Sequence, residues 1–116
     1  MSEAAQAALA IRDALGRVAS SAESPLRARL SLDVGEIVIG VIGTPMRRSV
    51  ALIGPTINLA ARLLKQIPPG GIIATEAVVA RLSAQNPTVA RRFSLLDDQL
   101  ELRGFENQYV SAYALR

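Results

Sequence analysis

SVALIGPTINLAARLL, residues 49–64, holds the most structural information in the chain. Its first five residues are mostly apolar and predict a strand over 49–53. Gly54-Pro55-Thr56 then turns the chain into a helix. Pro55 suits the first helical turn, where a missing N–H costs nothing. The helix is expected to run to about Gln66, and Ile67-Pro68-Pro69-Gly70-Gly71 ends it. Helical spacing puts Asn58, Arg62 and Lys65 on one face, with Ile57, Ala61 and Leu64 on a neighbouring apolar face. Asn58 carries an amide donor and acceptor, and Arg62 carries a rigid fork of donors matched to phosphate oxygens. One turn apart, the two suit a ribose and a phosphoryl group gaining charge. The same pattern also describes an ordinary amphipathic helix with a wet side.

Working outward, residues 2–18 predict a helix, with Ala4, Ala8, Ile11, Leu15 and Val18 on its buried face and Ser2 as N-cap. A polar loop follows to Pro25. Residues 26–34 alternate, so Leu30, Leu32 and Val34 are expected inside and Arg29, Ser31 and Asp33 outside. Residues 37–42 are apolar apart from Gly40, which predicts a strand buried on both faces. A turn is expected at 43–45. A short strand at 72–74 leads to Thr75 as the N-cap of a short helix over Val78, Val79 and Leu82. Asn86-Pro87 predicts a loop, and 93–102 and 109–115 predict two strands joined by a turn at Gly104. The order is helix, three strands, helix, strand, helix, two strands, which is α/β or α+β. A helix comes first, with no strand before it to connect from.

The 116 residues are half hydrophobic and carry a net charge of +3, so a single packed domain is expected. Two Phe and two Tyr are the only aromatics, leaving Ala, Leu, Ile and Val to fill the core. There is no Cys and no His, which excludes disulfides, thiolate or imidazole metal sites, and Ser-His or Cys-His catalysis. A metal would have to be a hard ion on carboxylates. The basic pairs Arg47-Arg48 and Arg91-Arg92 lack aromatic interleaving, so no nucleic-acid partner is expected. The longest apolar run is too short for a membrane span and no signal pattern opens the chain, so a cytoplasmic protein is expected. No GxxxxGK[ST] P-loop is present, and Gly40-Val41-Ile42-Gly43 lacks the first glycine of GxGxxG.

Four segments in order resemble class III adenylate and guanylate cyclases. GEIVIGVIG (35–43) and LIGPTINLAARL (52–63) resemble that family's TGEVVVGNIG-like strand and VIGDTVNLAARL-like segment. PGGIIATE (69–76) resembles its PGEILVSE stretch, and LRGF (102–105) its LKGF turn. The resemblance covers nearly the whole chain. It implies an α+β, ferredoxin-like or palm-type nucleotide cyclase fold, partial, with helices packed on a mixed sheet. Residues 1–116 are expected to form a single partial cyclase homology domain.

The resemblance also implies roles. Asn58 matches the asparagine that orients the ribose, and Arg62 the arginine that steadies the phosphoryl group under attack. Arg103 stands where the family usually has a lysine facing the triphosphate. Ala51, seven residues before Asn58, stands where many members have an aspartate or threonine that reads the purine edge, and its methyl cannot hydrogen-bond. Pro55 replaces the aspartate common in bacterial members.

Magnesium or manganese ions are implied by the family, on two aspartates from an earlier strand and hairpin that have no counterpart here. Asp33, Glu36, Asp97 and Asp98 are expected to be surface residues instead. ATP or GTP is the implied substrate, cyclised to a 3′,5′-cyclic nucleotide with release of pyrophosphate. Family sites are shared between chains, so a homodimer or a complementing cyclase chain is the implied partner, and the isolated chain is expected to be inactive. The rival expectation is a non-catalytic, cyclase-like regulatory or dimerisation module.

Overall fold

The computed structural model describes residues 1–21, 27–102 and 109–115. The chain runs α1 (Ser2–Ser21), β1 (Leu30–Leu32), β2 (Val38–Thr44), β3 (Arg47–Ile53) and α2 (Pro55–Leu63). A 3-10 turn (Leu64–Gln66) extends α2 and is followed by β4 (Ile72–Thr75), α3 (Glu76–Gln85), α4 (Pro87–Ala90), β5 (Phe93–Leu100) and β6 (Val110–Leu115). Strands β1, β4, β6 and β5 form one mixed sheet in that order, and β2 and β3 form a separate antiparallel pair. This is the α+β arrangement the sequence implies.

Strand β4 lies inside the sheet and every residue of it is buried. Its alternation divides the interior in two. Ile72 and Ala74 join Ala5, Ala8, Val78, Leu82, Phe93 and Leu115 on the face covered by α1, α3 and α4. Ile73 joins Leu63, Ile67, Leu102 and Ala112 on the face covered by α2. Strand β1 pairs with β4 in parallel, with Leu30 opposite Ile72 and Leu32 opposite Ala74. Parallel neighbours need a crossover, and β2, β3 and α2 supply it.

Several expectations need correction. Helix α1 buries Ala5 and Ala8, while Ile11 and Val18 are exposed and Ala4 lies outside. The apolar stripe is thus rotated by about one residue, because alanines leave its edge undefined in the sequence. Ser2 belongs to α1 and is tied to the end of α3: its N–H donates to Gln85 (3.1 Å) and its hydroxyl accepts from the Asn86 amide (3.1 Å). Strand β1 is shorter than 26–34, and both its faces are half-buried. Asn86-Pro87 opens α4, with the Asn86 side chain accepting from Val89 N–H as N-cap. The turn at Gly104 lies outside the described residues.

The largest correction concerns 37–42. Val38, Ile39 and Val41 are exposed, because this run pairs with β3 in its own two-stranded sheet and not within the main one. Branched apolar residues mark a strand but do not say which sheet it joins.

Replacing Ile73 by Ala should cost about 2–5 kcal/mol in urea unfolding, the range for emptying a filled core site. Ile11→Ala should cost less than about 1 kcal/mol. Equal losses would contradict the assignment of the core.

Candidate functional site

Helix α2 is seated by three local features. Gly54 precedes it at φ 150°, a backbone conformation that side-chain-bearing residues rarely adopt. Pro55 occupies the first turn, and Asn58 N–H donates to Gly54 C=O (3.2 Å) to start the helix. The Thr56 hydroxyl donates to the Glu36 carbonyl (3.2 Å), joining the helix start to the entry of β2. Beneath that contact Gly35 leaves no room for a side chain, since a Cβ there would overlap the Thr56 hydroxyl. Further along, the Ser31 hydroxyl of β1 donates to Ala60 C=O (2.7 Å), fastening the middle of the helix to the sheet.

These contacts decide which side of α2 faces inward. Leu63 is fully buried and Leu59 packs partly beside it. The apolar face expected from the sequence, Ile57, Ala61 and Leu64, is therefore displaced: Ala61 is exposed, and Ile57 and Leu64 are only half-buried. Helical geometry allowed either stripe. The Ser31–Ala60 bond and the Leu63 contact select one, and neither is visible in the periodicity of α2 alone.

Asn58 is exposed and Arg62 half-buried, so neither is used to fill the core. Residues four apart on a helix have Cβ atoms about 5–6 Å from each other. That spacing sets an amide and a guanidinium near each other on one side of the helix. Arg62 lies in the last turn of α2, where the helix dipole favours a cation. Lys65, one turn on, is exposed. Ala51 is half-buried on β3 opposite Gly40, and its side chain is a methyl group. Arg103 lies outside the described residues. Its sequence neighbour Leu102 is buried in the same cluster as Leu63, the residue after Arg62.

The acidic residues behave differently from one another. Asp33 is half-buried, not a free surface group, and its carboxylate accepts from Thr75 Oγ1 (2.9 Å) and Val34 N–H (2.8 Å). It thus ties the end of β1 to the junction of β4 and α3. Thr75 occupies the N-cap position of α3 as expected, but its hydroxyl goes to Asp33 and makes no capping bond. Only the parallel register of β1 with β4 brings these two together. Glu36, Asp97 and Asp98 are exposed. Among the described residues, no three Asp or Glu side chains gather in a way that could hold a metal ion. The described residues therefore do not fit a divalent cation of their own. No described helix is long and apolar enough to cross a membrane.

The family described as the adenylate and guanylate cyclase catalytic domain matches residues 1–116. The chain belongs to that family. No curated protein sequence matches it. Among solved structures it resembles the adenylyl cyclase CyaB from P. aeruginosa, at TM-score 0.56 and 22% identity over 72% of this chain and 39% of that one. It also resembles the guanylate cyclase domain of RhGC from Catenaria anguillulae in complex with GTP, at TM-score 0.55 and 20% identity over 72% of this chain and 41% of that one. A third is the catalytic core of a rhodopsin-guanylyl cyclase with converted specificity, in complex with ATPalphaS, at TM-score 0.52 and 20% identity over 68% of this chain and 38% of that one. At such identities the likeness establishes the fold. The chain spans about two fifths of the length of these structures.

Gly35→Ala should destabilise the seat of α2 by about 1–3 kcal/mol, as overpacking does. Adding Thr56→Ala removes the overlapping hydroxyl and should recover most of that loss. A double variant no better than Gly35→Ala, by urea unfolding, would contradict the close approach.

Proposed function

We propose that this chain supplies the ribose- and phosphate-facing part of a nucleotide cyclase site and works with a chain that carries the metal carboxylates. The observation that carries the reading is the Asn58–Arg62 pair. It is kept off the core on a helix seated by Ser31 and Thr56, in a chain matched along its length by the cyclase catalytic family.

In the proposed reaction the ribose 3′-oxygen bonds to the α-phosphorus of ATP or GTP while the bond to pyrophosphate breaks. The 3′-hydroxyl proton is lost, and a 3′,5′-cyclic nucleotide forms. Asn58 holds the ribose, which keeps the 3′-oxygen in line with the phosphorus. Arg62 donates to the non-bridging oxygens, where charge builds in the transition state. Arg103 adds a cation toward the triphosphate. Its planar fork would grip phosphate oxygens in a different geometry from the lysine usual in the family. Ala51 leaves base selection to other groups. Magnesium or manganese in family members assists the triphosphate and the 3′-hydroxyl. Because the described residues do not fit such an ion, that chemistry is assigned to the partner chain. The proposed partner is a second cyclase chain, either a fuller one or a homodimer mate, and the isolated chain is expected to form no cyclic nucleotide.

The test is complementation. A cyclase chain that keeps both metal aspartates but lacks its own transition-state arginine should be inactive alone and gain activity when this chain is added. Arg62→Ala should lower the restored rate about 100-fold or more, in the range for removing a donor to developing charge. No gain, or a gain indifferent to Arg62→Ala, would contradict the proposal.

A second reading has its own support. Ala51 cannot read a base, and no described carboxylate cluster holds a metal. A regulatory or dimerisation module would need neither. Failure to restore turnover, together with association that modulates a complete cyclase, would favour this reading.

A further inference from the structure

Lys65 is a cation beside the candidate site that the proposed reaction leaves unused. It sits in the 3-10 turn Leu64–Gln66 that continues α2. Two residues before it, Leu63 is fully buried, and two residues after it, Ile67 is buried in the same cluster with Ile73 and Leu102. Ile67 already has extended backbone, at φ −127° and ψ 152°, so the helical path ends there. Held from both sides, the turn leaves Lys65 exposed, away from the sheet. Residues three apart are more nearly eclipsed in a 3-10 turn than in an α-helix, so the tightening draws Lys65 toward the side of Arg62.

Asn58, Arg62 and Lys65 thus form a stripe on the open side of α2, with steps of about 6 Å and about 5 Å along the axis. Its order is amide, guanidinium, ammonium. A nucleoside triphosphate presents matching groups in the same order: ribose hydroxyls, an inner phosphate, then outer phosphates that carry most of the charge. The local charge agrees. No Asp or Glu occurs between Glu36 and Glu76, a stretch that holds Arg47, Arg48, Arg62 and Lys65. Among the described residues, neither Arg62 nor Lys65 takes part in an ion pair. Two like charges one turn apart repel. The negative end of the helix dipole relieves part of that repulsion, and a bound polyanion relieves more. An ammonium on a flexible stem can follow phosphate oxygens whose positions vary.

We infer that Lys65 binds the outer phosphates of the nucleotide while Arg62 holds the inner one, so that α2 itself selects a triphosphate over a monophosphate. The inference rests on the proposed cyclase site and deepens it by assigning its discrimination of phosphate-chain length. Lys65 is a substrate-binding residue in this account. It shares the outer phosphates with Arg103 and takes no part in the bond making at the α-phosphorus.

The test is a nuclear magnetic resonance titration of this chain, isotope-labelled and mixed with the metal-competent partner. The probes are the mono- and triphosphates of 3′-deoxyadenosine and 3′-deoxyguanosine, which cannot cyclise. The native chain should bind a triphosphate more tightly than the matching monophosphate. Lys65→Gln should weaken triphosphate binding at least about tenfold, the scale of one lost charge-assisted hydrogen bond, and change monophosphate binding less than about twofold. Lys65→Arg keeps the charge and should retain most of the triphosphate affinity. Arg81, exposed on α3 across the sheet, is the control: Arg81→Gln removes the same charge and should leave both affinities unchanged. Circular dichroism melts check that each variant folds. Arg62→Ala separates the two ideas, since it should weaken monophosphate and triphosphate alike. Nucleotide binding that responds to Arg62→Ala but keeps its native chain-length preference in Lys65→Gln would overturn the inference and leave the proposed site standing. An equal loss in Arg81→Gln, or a loss in Lys65→Arg as large as in Lys65→Gln, would do the same. Binding that is absent, or indifferent to Arg62→Ala, would overturn both.

Discussion

The parallel pairing of β1 with β4 governs this structure. Strands that run the same way cannot be joined by a tight turn, so residues 33–71 must cross one face of the sheet before the chain returns. The crossover carries α2, whose middle is fastened by the Ser31 hydroxyl to Ala60 and whose end is plugged by Leu63 against Ile73. Burying Leu63 on one side leaves Asn58 and Arg62 free of the core. Fold and candidate site are in this sense one constraint, since the contact that stabilises the helix also aims its polar side.

The same crossover has a cost. The strand hydrogen bonds and branched residues that precede α2 go into a hairpin of its own, and its apolar side chains face water. A globular chain rarely leaves so many large aliphatic groups open in one element. Among the described residues, strand β1 also pairs on one side only, and so presents an edge. The chain spans about two fifths of the length of the cyclase structures it resembles.

Much of the fold was legible in the sequence. The Gly54-Pro55 switch, the Pro-Pro-Gly-Gly stop after α2 and the closing strands all follow from local rules, and the resemblance at 35–43, 52–63, 69–76 and 102–105 matched the family. What escaped was set by packing between distant segments. Whether the apolar residues 37–42 enter the main sheet depends on which edge is available. Alanine-rich α1 gives no sharp stripe, so its buried face shifted to Ala5 and Ala8. Asp33 reads as a solvated residue until the register of β1 with β4 sets it beside Thr75. At the candidate site, the residue types at 58 and 62 were readable. The orientation of α2 was not, because it rests on Ser31 and on Leu63.

The central claim is that Arg62 is held on the open side of α2 to meet a nucleotide. It can be tested directly by following the Arg62 guanidinium Nε–H resonance while a nucleoside triphosphate lacking the 3′-hydroxyl is added to this chain together with a metal-competent partner. The account predicts a saturable shift of that resonance, lost when Asn58 is replaced by Ala. A resonance unmoved at saturating nucleotide, with the analogue bound elsewhere, would contradict it.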